Sequence, residues 1–261
     1  MNDNNRYFYS GNSKCKNGCV YCFSSWNLPY SEYTKKCSIK NEIIYPTCDS
    51  EFFDLGIEYV KRIIELFDSQ STISMMSIST KSDINLECLE LIKAYNHSNC
   101  KNNIIKVSVS ITNKSMNNSI EPNALPYEER LHLLEKISLY SVPTCVILKP
   151  LLPFIEKEEY FSIITDCLKY TPNFVVGGLY VDTKSMFFLK YISEKYKVES
   201  RFCTWQNKIL SYVEYPDYYE IVRFIKESSG NCFFSDKEYI DTVLKMREEN
   251  EKDKNNFSNN S

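Results

Sequence analysis

Three cysteines fall within eight positions of the stretch "SKCKNGCVYCFS" (13–24): Cys15, Cys19 and Cys22. Thiolates are soft ligands that select zinc, copper(I) or iron–sulfur clusters. A structural zinc site wants four ligands and a redox pair wants two, so three cysteines fit neither. On a cubane [4Fe–4S] cluster, three thiolates leave one iron without a protein ligand. That iron is open to a small chelating molecule, as catalytic metal sites keep one position free. The chain has 11 cysteines in 261 residues, so an accidental Cys-x3-Cys-x2-Cys match is expected only about 0.02 times. The competing arrangement is a zinc site completed by a distant Cys37, His97 or His132. Three unrelated core cysteines agree poorly with the polar, turn-like run that holds Gly11, Asn12, Asn17 and Gly18.

The elements that must position such a site alternate between two periodicities. Strand-type runs are read at 6–10, 42–46, 72–80, 104–112, 142–150 and 174–181. Between them lie helix-type stretches at 52–67, around Ile84 to Ile92, at 126–140 with Pro126 near the first turn, and at 157–170. About six strand–helix repeats predict parallel βαβ units with right-handed crossovers. The cysteine segment follows the first strand, where α/β sheets and barrels collect their sites. Beyond residue 200 the pattern is less regular, with helix-type pieces at 217–228 and 236–250 and a polar tail at 251–261.

Charge and composition bound the partners. Hydrophobic residues make up 43% of the chain and the formal net charge is −3, which suits a folded α/β protein and does not recommend duplex DNA. The start "MNDNNRYFYS" lacks an apolar leader, and no apolar run is long enough to span a bilayer. The chain is therefore expected to be cytoplasmic, without a membrane partner. The dispersed cysteines (Cys88, Cys100, Cys145, Cys167, Cys203, Cys232) read as buried free thiols of a reducing compartment.

With its aromatic residue at Tyr21, the Cys-x3-Cys-x2-Cys segment resembles the radical S-adenosyl-L-methionine (SAM) enzymes. The resemblance implies a [4Fe–4S] cluster on Cys15, Cys19 and Cys22, SAM chelated at the vacant iron, and one-electron cleavage of SAM to a 5′-deoxyadenosyl radical. The radical then abstracts hydrogen from a substrate. The resemblance also implies a partial (βα)6 barrel over 1–200, here with a C-terminal helical extension at 201–250, and an electron donor such as flavodoxin or ferredoxin.

The Gly-Gly-Glu segment usual at the second strand end is replaced by "YPTCDSEFF" (45–53). With "SISTKSDI", "VSVSIT", "IEPNALPYEERLHLLEKI" and "VILKPLLPFI", this order resembles the spore photoproduct lyase-like, or DNA repair photolyase, branch. That resemblance implies Lys81 on the SAM carboxylate and Ser110 near SAM. It also places Asp49 among the SAM-contacting residues, with Tyr21 beside adenine. Glu121 becomes a ribose or supporting contact with Arg130 as its ion-pair partner, and Cys48 a candidate catalytic hydrogen donor. Gly177, with Gly178, would admit a ligand close to the backbone. Plainer roles stand beside these: a solvated Lys81, an inward small Ser110, an Asp49 that caps a helix, and a bulge at Gly177. The substrate class stays open among small molecule, peptide and nucleic acid, including a lesion-repair lyase. A non-catalytic zinc- or cluster-stabilised binding or sensing protein is the rival from another class.

Overall fold

The computed structural model describes residues 6–22, 31–32, 42–69, 74–98, 103–203 and 208–246. Cys37, Cys100 and the tail at 251–261 lie outside them. The strands are β1 (Arg6–Ser10), β2 (Ser31–Glu32), β3 (Glu42–Tyr45), β4 (Ser74–Thr80), β5 (Ile104–Ser110), β6 (Val146–Leu148), β7 (Asn173–Val176), β8 (Leu179–Val181), β9 (Glu199–Cys203), β10 (Lys208–Val213) and β11 (Asn231–Phe233). The helices are α1 (Ile57–Asp68), α2 (Leu86–Ser98), α3 (Asn117–Ile120), α4 (Tyr127–Leu139), α5 (Lys157–Cys167) and α6 (Tyr218–Glu227), followed by α7 over 236–246.

Eight strands form one parallel sheet in the order β11-β7-β6-β5-β4-β3-β1-β2. With helices covering its outer face, this is the partial-barrel architecture expected of six strand–helix units. The helices dock by 3–4 spacing: Val60, Ile63 and Phe67 of α1 are fully buried, each worth roughly 1.5–3 kcal/mol when taken from water.

β4 and β5 carry two different faces. Met76, Ile78, Ile105, Val107 and Val109 pack into the main core. The alternate residues of the same strands are Ser77, Ser79, Lys106, Ser108 and Ser110, and they make the other face polar. α7 fills part of that polar face. Its Asp236 accepts a hydrogen bond from Ser77 at 2.7 Å and pairs with Lys106, while Ile240 packs against Ile43, Met75 and Ile104.

Two features depart from the sequence pattern. The apolar run at 174–181 is two strands: β7 belongs to the parallel sheet, and β8 pairs antiparallel with β10 in a second sheet, β8-β10-β9. The chain changes sheet at Gly177-Gly178. The C-terminal region contains its two helices, α6 and α7, and also β9, β10 and β11, which helical periodicity did not reveal.

Candidate functional site

A cavity of about 340 Å³ opens at the carboxyl ends of the parallel strands, and Cys15, Cys19, Cys22, Cys48, Lys81 and Ser110 all face it. The cysteine loop reaches it by a turn in which Cys22 N–H donates to Cys19 O at 3.0 Å. Gly18 sits at φ +61°, a left-handed conformation that L side chains resist. The loop is tied to the segment that follows β5: Val20 N–H donates to Ile120 O at 2.9 Å, Asn123 N–H to Asn17 O at 3.2 Å, and Asn123 Nδ2 to Lys16 O at 2.8 Å.

Behind the cysteines runs a chain of opposite charges. Lys81 Nζ lies 3.8 Å from Cys19 Sγ and 3.5 Å from Glu121 Oε1, and Arg130 pairs with Glu121 Oε2 at 2.7 Å. Arg130 is held in turn by Ser110 O at 2.9 Å and by Asn117. Glu121 also accepts from Thr112 Oγ1 at 2.7 Å and from the Tyr21 hydroxyl. Burial alone would raise the Glu121 pKa, but Lys81, Arg130 and these hydrogen bonds bring it down to about 2. Burial opposes the Lys81 charge as well, yet Tyr21, Glu121 and Cys19 hold its pKa above that of an ordinary lysine.

The thiols feel the same surroundings. Burial pushes Cys19 up to about 11 against the pull of Lys81, and burial raises Cys15. The charge of Cys22 raises Cys15, and those of Cys22 and Cys15 raise Cys19. Half-buried thiols that would repel when ionised, facing one cavity with an ammonium at its edge, fit a thiolate-ligated cluster, whose metal charge would favour the ionised sulfurs. Among the described residues, no three His, Cys, Asp or Glu side chains form a set for a single metal ion. His97 and His132 are exposed on α2 and α4 and do not line the cavity.

The remaining sequence-derived residues separate by position. Asp49 lines the cavity while accepting from Gly11 N–H at 2.8 Å and from Ser10 Oγ, so it ties the β1 loop to the β3 loop. α1 begins with Gly56 at its N-cap, without a side-chain cap. Cys48 continues the β1–β3 pairing by donating its N–H to Tyr9 O at 2.9 Å, and burial pushes its thiol up to about 12. Glu121 lies behind the cavity wall and acts on it through Tyr21 and Lys81. Gly178 borders the cavity, whereas Gly177 is packed under Lys149, whose Cδ lies 2.9 Å from where a Cβ would stand.

The chain matches no family model and no curated protein. Solved structures do match. A cysteine-to-serine mutant of spore photoproduct lyase aligns over 85% of this chain and 73% of that one, at TM-score 0.58 and 13% identity. A cysteine-to-alanine mutant with dinucleoside spore photoproduct aligns over the same shares, at 0.59 and 12%. The fold is that of spore photoproduct lyase. A double mutant of spore photoproduct lyase with bound AdoMet and dinucleoside spore photoproduct aligns over 74% of this chain and 60% of that one, at 0.52 and 12%. At these identities the likeness to spore photoproduct lyase is one of fold.

Several residues at the site were not singled out from the sequence. Glu51 is buried and accepts from Asn17 Nδ2 at 2.6 Å, Thr80 Oγ1 at 2.7 Å and Lys81 N–H at 3.2 Å, so it fastens the cysteine loop to the end of β4. Thr112 bridges Tyr21 and Glu121. Phe8 and Tyr45 stack at 4.9 Å on the cavity wall. Among the described residues, no helix is long and apolar enough to cross a membrane.

Proposed function

We propose that this chain is a radical SAM enzyme in which Cys15, Cys19 and Cys22 hold a [4Fe–4S] cluster, with Lys81, Tyr21, Asp49 and Ser110 arranged to hold SAM. The observation that carries this reading is the convergence of three thiols and an ammonium on one cavity at the carboxyl edge of a parallel sheet. A solved structure of spore photoproduct lyase, whose fold the chain shares, contains AdoMet, which supports the same cofactor here. When bound, the cluster and SAM supply a one-electron cleavage of the sulfonium and a radical able to take hydrogen from a substrate.

The chain's own residues bind, orient and shield. Lys81 offers an ammonium to the SAM carboxylate, and Glu121 with Tyr21 holds that ammonium in place. The buried walls keep water from the radical. Cys48 stays protonated because burial holds its pKa at about 12, which suits a hydrogen-atom donor. Its S–H bond breaks homolytically as a C–H bond forms on the substrate. One electron from a flavodoxin- or ferredoxin-type donor and one proton from solvent then restore the thiol.

The test uses anaerobically purified, iron- and sulfide-reconstituted protein with SAM and dithionite, and quantifies 5′-deoxyadenosine. Wild type is expected to form it, and a Cys15→Ala, Cys19→Ala, Cys22→Ala variant is not. A colourless zinc protein, or a clustered one that leaves SAM intact, would overturn the reading in favour of a binding or sensing role. A nucleic-acid lesion lyase is the second reading, favoured by the dinucleoside photoproduct in the structural neighbours. The formal net charge of −3 argues against it, and salt-dependent retention on a DNA column decides between the two.

A further inference from the structure

One cation facing the cavity has no role in the site described above. Lys149 follows β6, separated from β1 and its cysteine loop by β5, β4 and β3. The other basic groups near it have partners: Lys81 and Arg130 with Glu121, Lys106 with Asp236, Arg201 with Glu214 at 2.8 Å, and Arg6 through a side-chain hydrogen bond with Tyr45. No carboxylate lies within salt-bridge distance of Lys149 among the described residues, and its ammonium makes no hydrogen bond there.

The surroundings are built around this side chain. Its stem lies on Gly177, where a Cβ would come within 2.9 Å of Lys149 Cδ. Burial lowers its pKa, the like charges of Arg6 and Arg201 act in the same direction, and Cys203 and Asp236 oppose them. Ser79 and Ser110 present hydroxyls to the same cavity, and Phe8 and Tyr45 give it an aromatic wall. A half-buried ammonium without a counter-ion costs stability, and that cost is relieved when an anion arrives.

We infer that Lys149 binds an anionic group of the substrate, a phosphate or a carboxylate. The inference rests on the radical SAM reading, in which Lys81 at the cysteine end serves SAM and leaves Lys149 for a second molecule. One lysine in a small cavity of an acidic protein suits a single anionic group better than a continuous phosphate backbone, which needs a row of basic contacts.

The experiment follows thermal unfolding of reconstituted wild type, Lys149→Met and Lys149→Arg with inorganic phosphate or propionate as probes. SAM binding is measured in parallel by equilibrium dialysis. Wild type and Lys149→Arg are expected to melt several degrees higher with one of the two anions, which identifies phosphate or carboxylate as the recognised group. Lys149→Met should melt no lower than wild type without anion and should show only the general salting effect with it. Its SAM affinity should stay within about twofold of wild type. Equal anion responses in wild type and Lys149→Met, or no specific response to either anion, would overturn the inference. So would a roughly tenfold loss of SAM affinity in Lys149→Met, which would make Lys149 a SAM contact and leave the radical SAM reading standing. Wild type that binds no SAM would sink that reading, while the anion arm would still report on Lys149 directly.

Discussion

Lys81 Nζ stands 3.5 Å from one carboxylate oxygen of Glu121, and Arg130 holds the other at 2.7 Å. Glu121 and Arg130 are fully buried, so neither charge has water to fall back on. Removing one partner strands the other, at a cost of roughly 3–5 kcal/mol. Arg130→Met is therefore expected to lower the urea midpoint strongly. The Arg130→Met, Glu121→Leu double variant should recover part of the loss. A double variant no better than Arg130→Met would show that packing, and not the pair, sets the cost.

The same carboxylate makes stability depend on acid. Glu121 has its pKa near 2 in the folded chain, against about 4.3 when unfolded. A depressed folded pKa contributes stability that is complete above the unfolded value and is lost as pH falls through the folded one. The contribution is roughly 3 kcal/mol at neutral pH. Wild type should lose stability between about pH 4.5 and about pH 2 more steeply than Glu121→Gln does. Urea midpoints of both proteins across that window check the slope, and parallel slopes would remove Glu121 as the cause.

Much of this fold was legible because its signals are local. The β4 and β5 runs read as strands from their alternation, and spacing alone puts Ile57, Val60, Ile64 and Phe67 on one face of α1. Of these, Val60 and Phe67 are buried, together with Ile63, which the spacing passed over. The cysteine triad was legible for the same reason. The break at Gly177-Gly178 was not, because an apolar run looks alike whether one sheet or two receive it. β9 escaped because four of its five residues are exposed, which leaves no inside–outside alternation. Glu51 and Lys149 depend on distant segments converging, and no spacing announces that.

Glu51 gives a test of how the cysteine loop is held. It joins Asn17 of the loop to Thr80 and the Lys81 backbone. Glu51→Ala removes these acceptors and leaves buried donors without partners, at roughly 1–3 kcal/mol each. Iron and sulfide retained per chain after reconstitution should fall, with the parallel sheet intact by circular dichroism. Full retention of iron would mean that the loop is held by Asn123 and Ile120 alone.

The two glycines at the change of sheet should respond differently to alanine. A Cβ at Gly177 meets the Lys149 stem, a flexible group able to shift. A Cβ at Gly178 meets Val213 O at 2.6 Å and the Tyr212 hydroxyl, and Tyr212 accepts the Gly178 N–H at 3.0 Å. Backbone does not move aside cheaply, so Gly178→Ala is expected to cost about 1–3 kcal/mol and Gly177→Ala clearly less. Thermal melts of the pair check the order, and a larger loss at Gly177 would contradict the arrangement.

Cys48 separates the start of the chemistry from its end. It sits away from the cysteine loop in sequence, yet faces the same cavity as Cys15, Cys19 and Cys22. Burial keeps it a thiol, with a pKa of about 12. If it only lines the SAM side, Cys48→Ala should weaken SAM binding and 5′-deoxyadenosine formation together. If it returns hydrogen, SAM binding and 5′-deoxyadenosine formation persist in Cys48→Ala, because neither needs the thiol. The substrate-derived radical then goes unquenched by Cys48, and turnover with substrate falls by at least roughly a hundredfold. We expect the second outcome. Equilibrium dialysis with SAM beside 5′-deoxyadenosine quantification distinguishes the two, and parallel loss of both would reassign Cys48 from hydrogen donor to a wall of the SAM site.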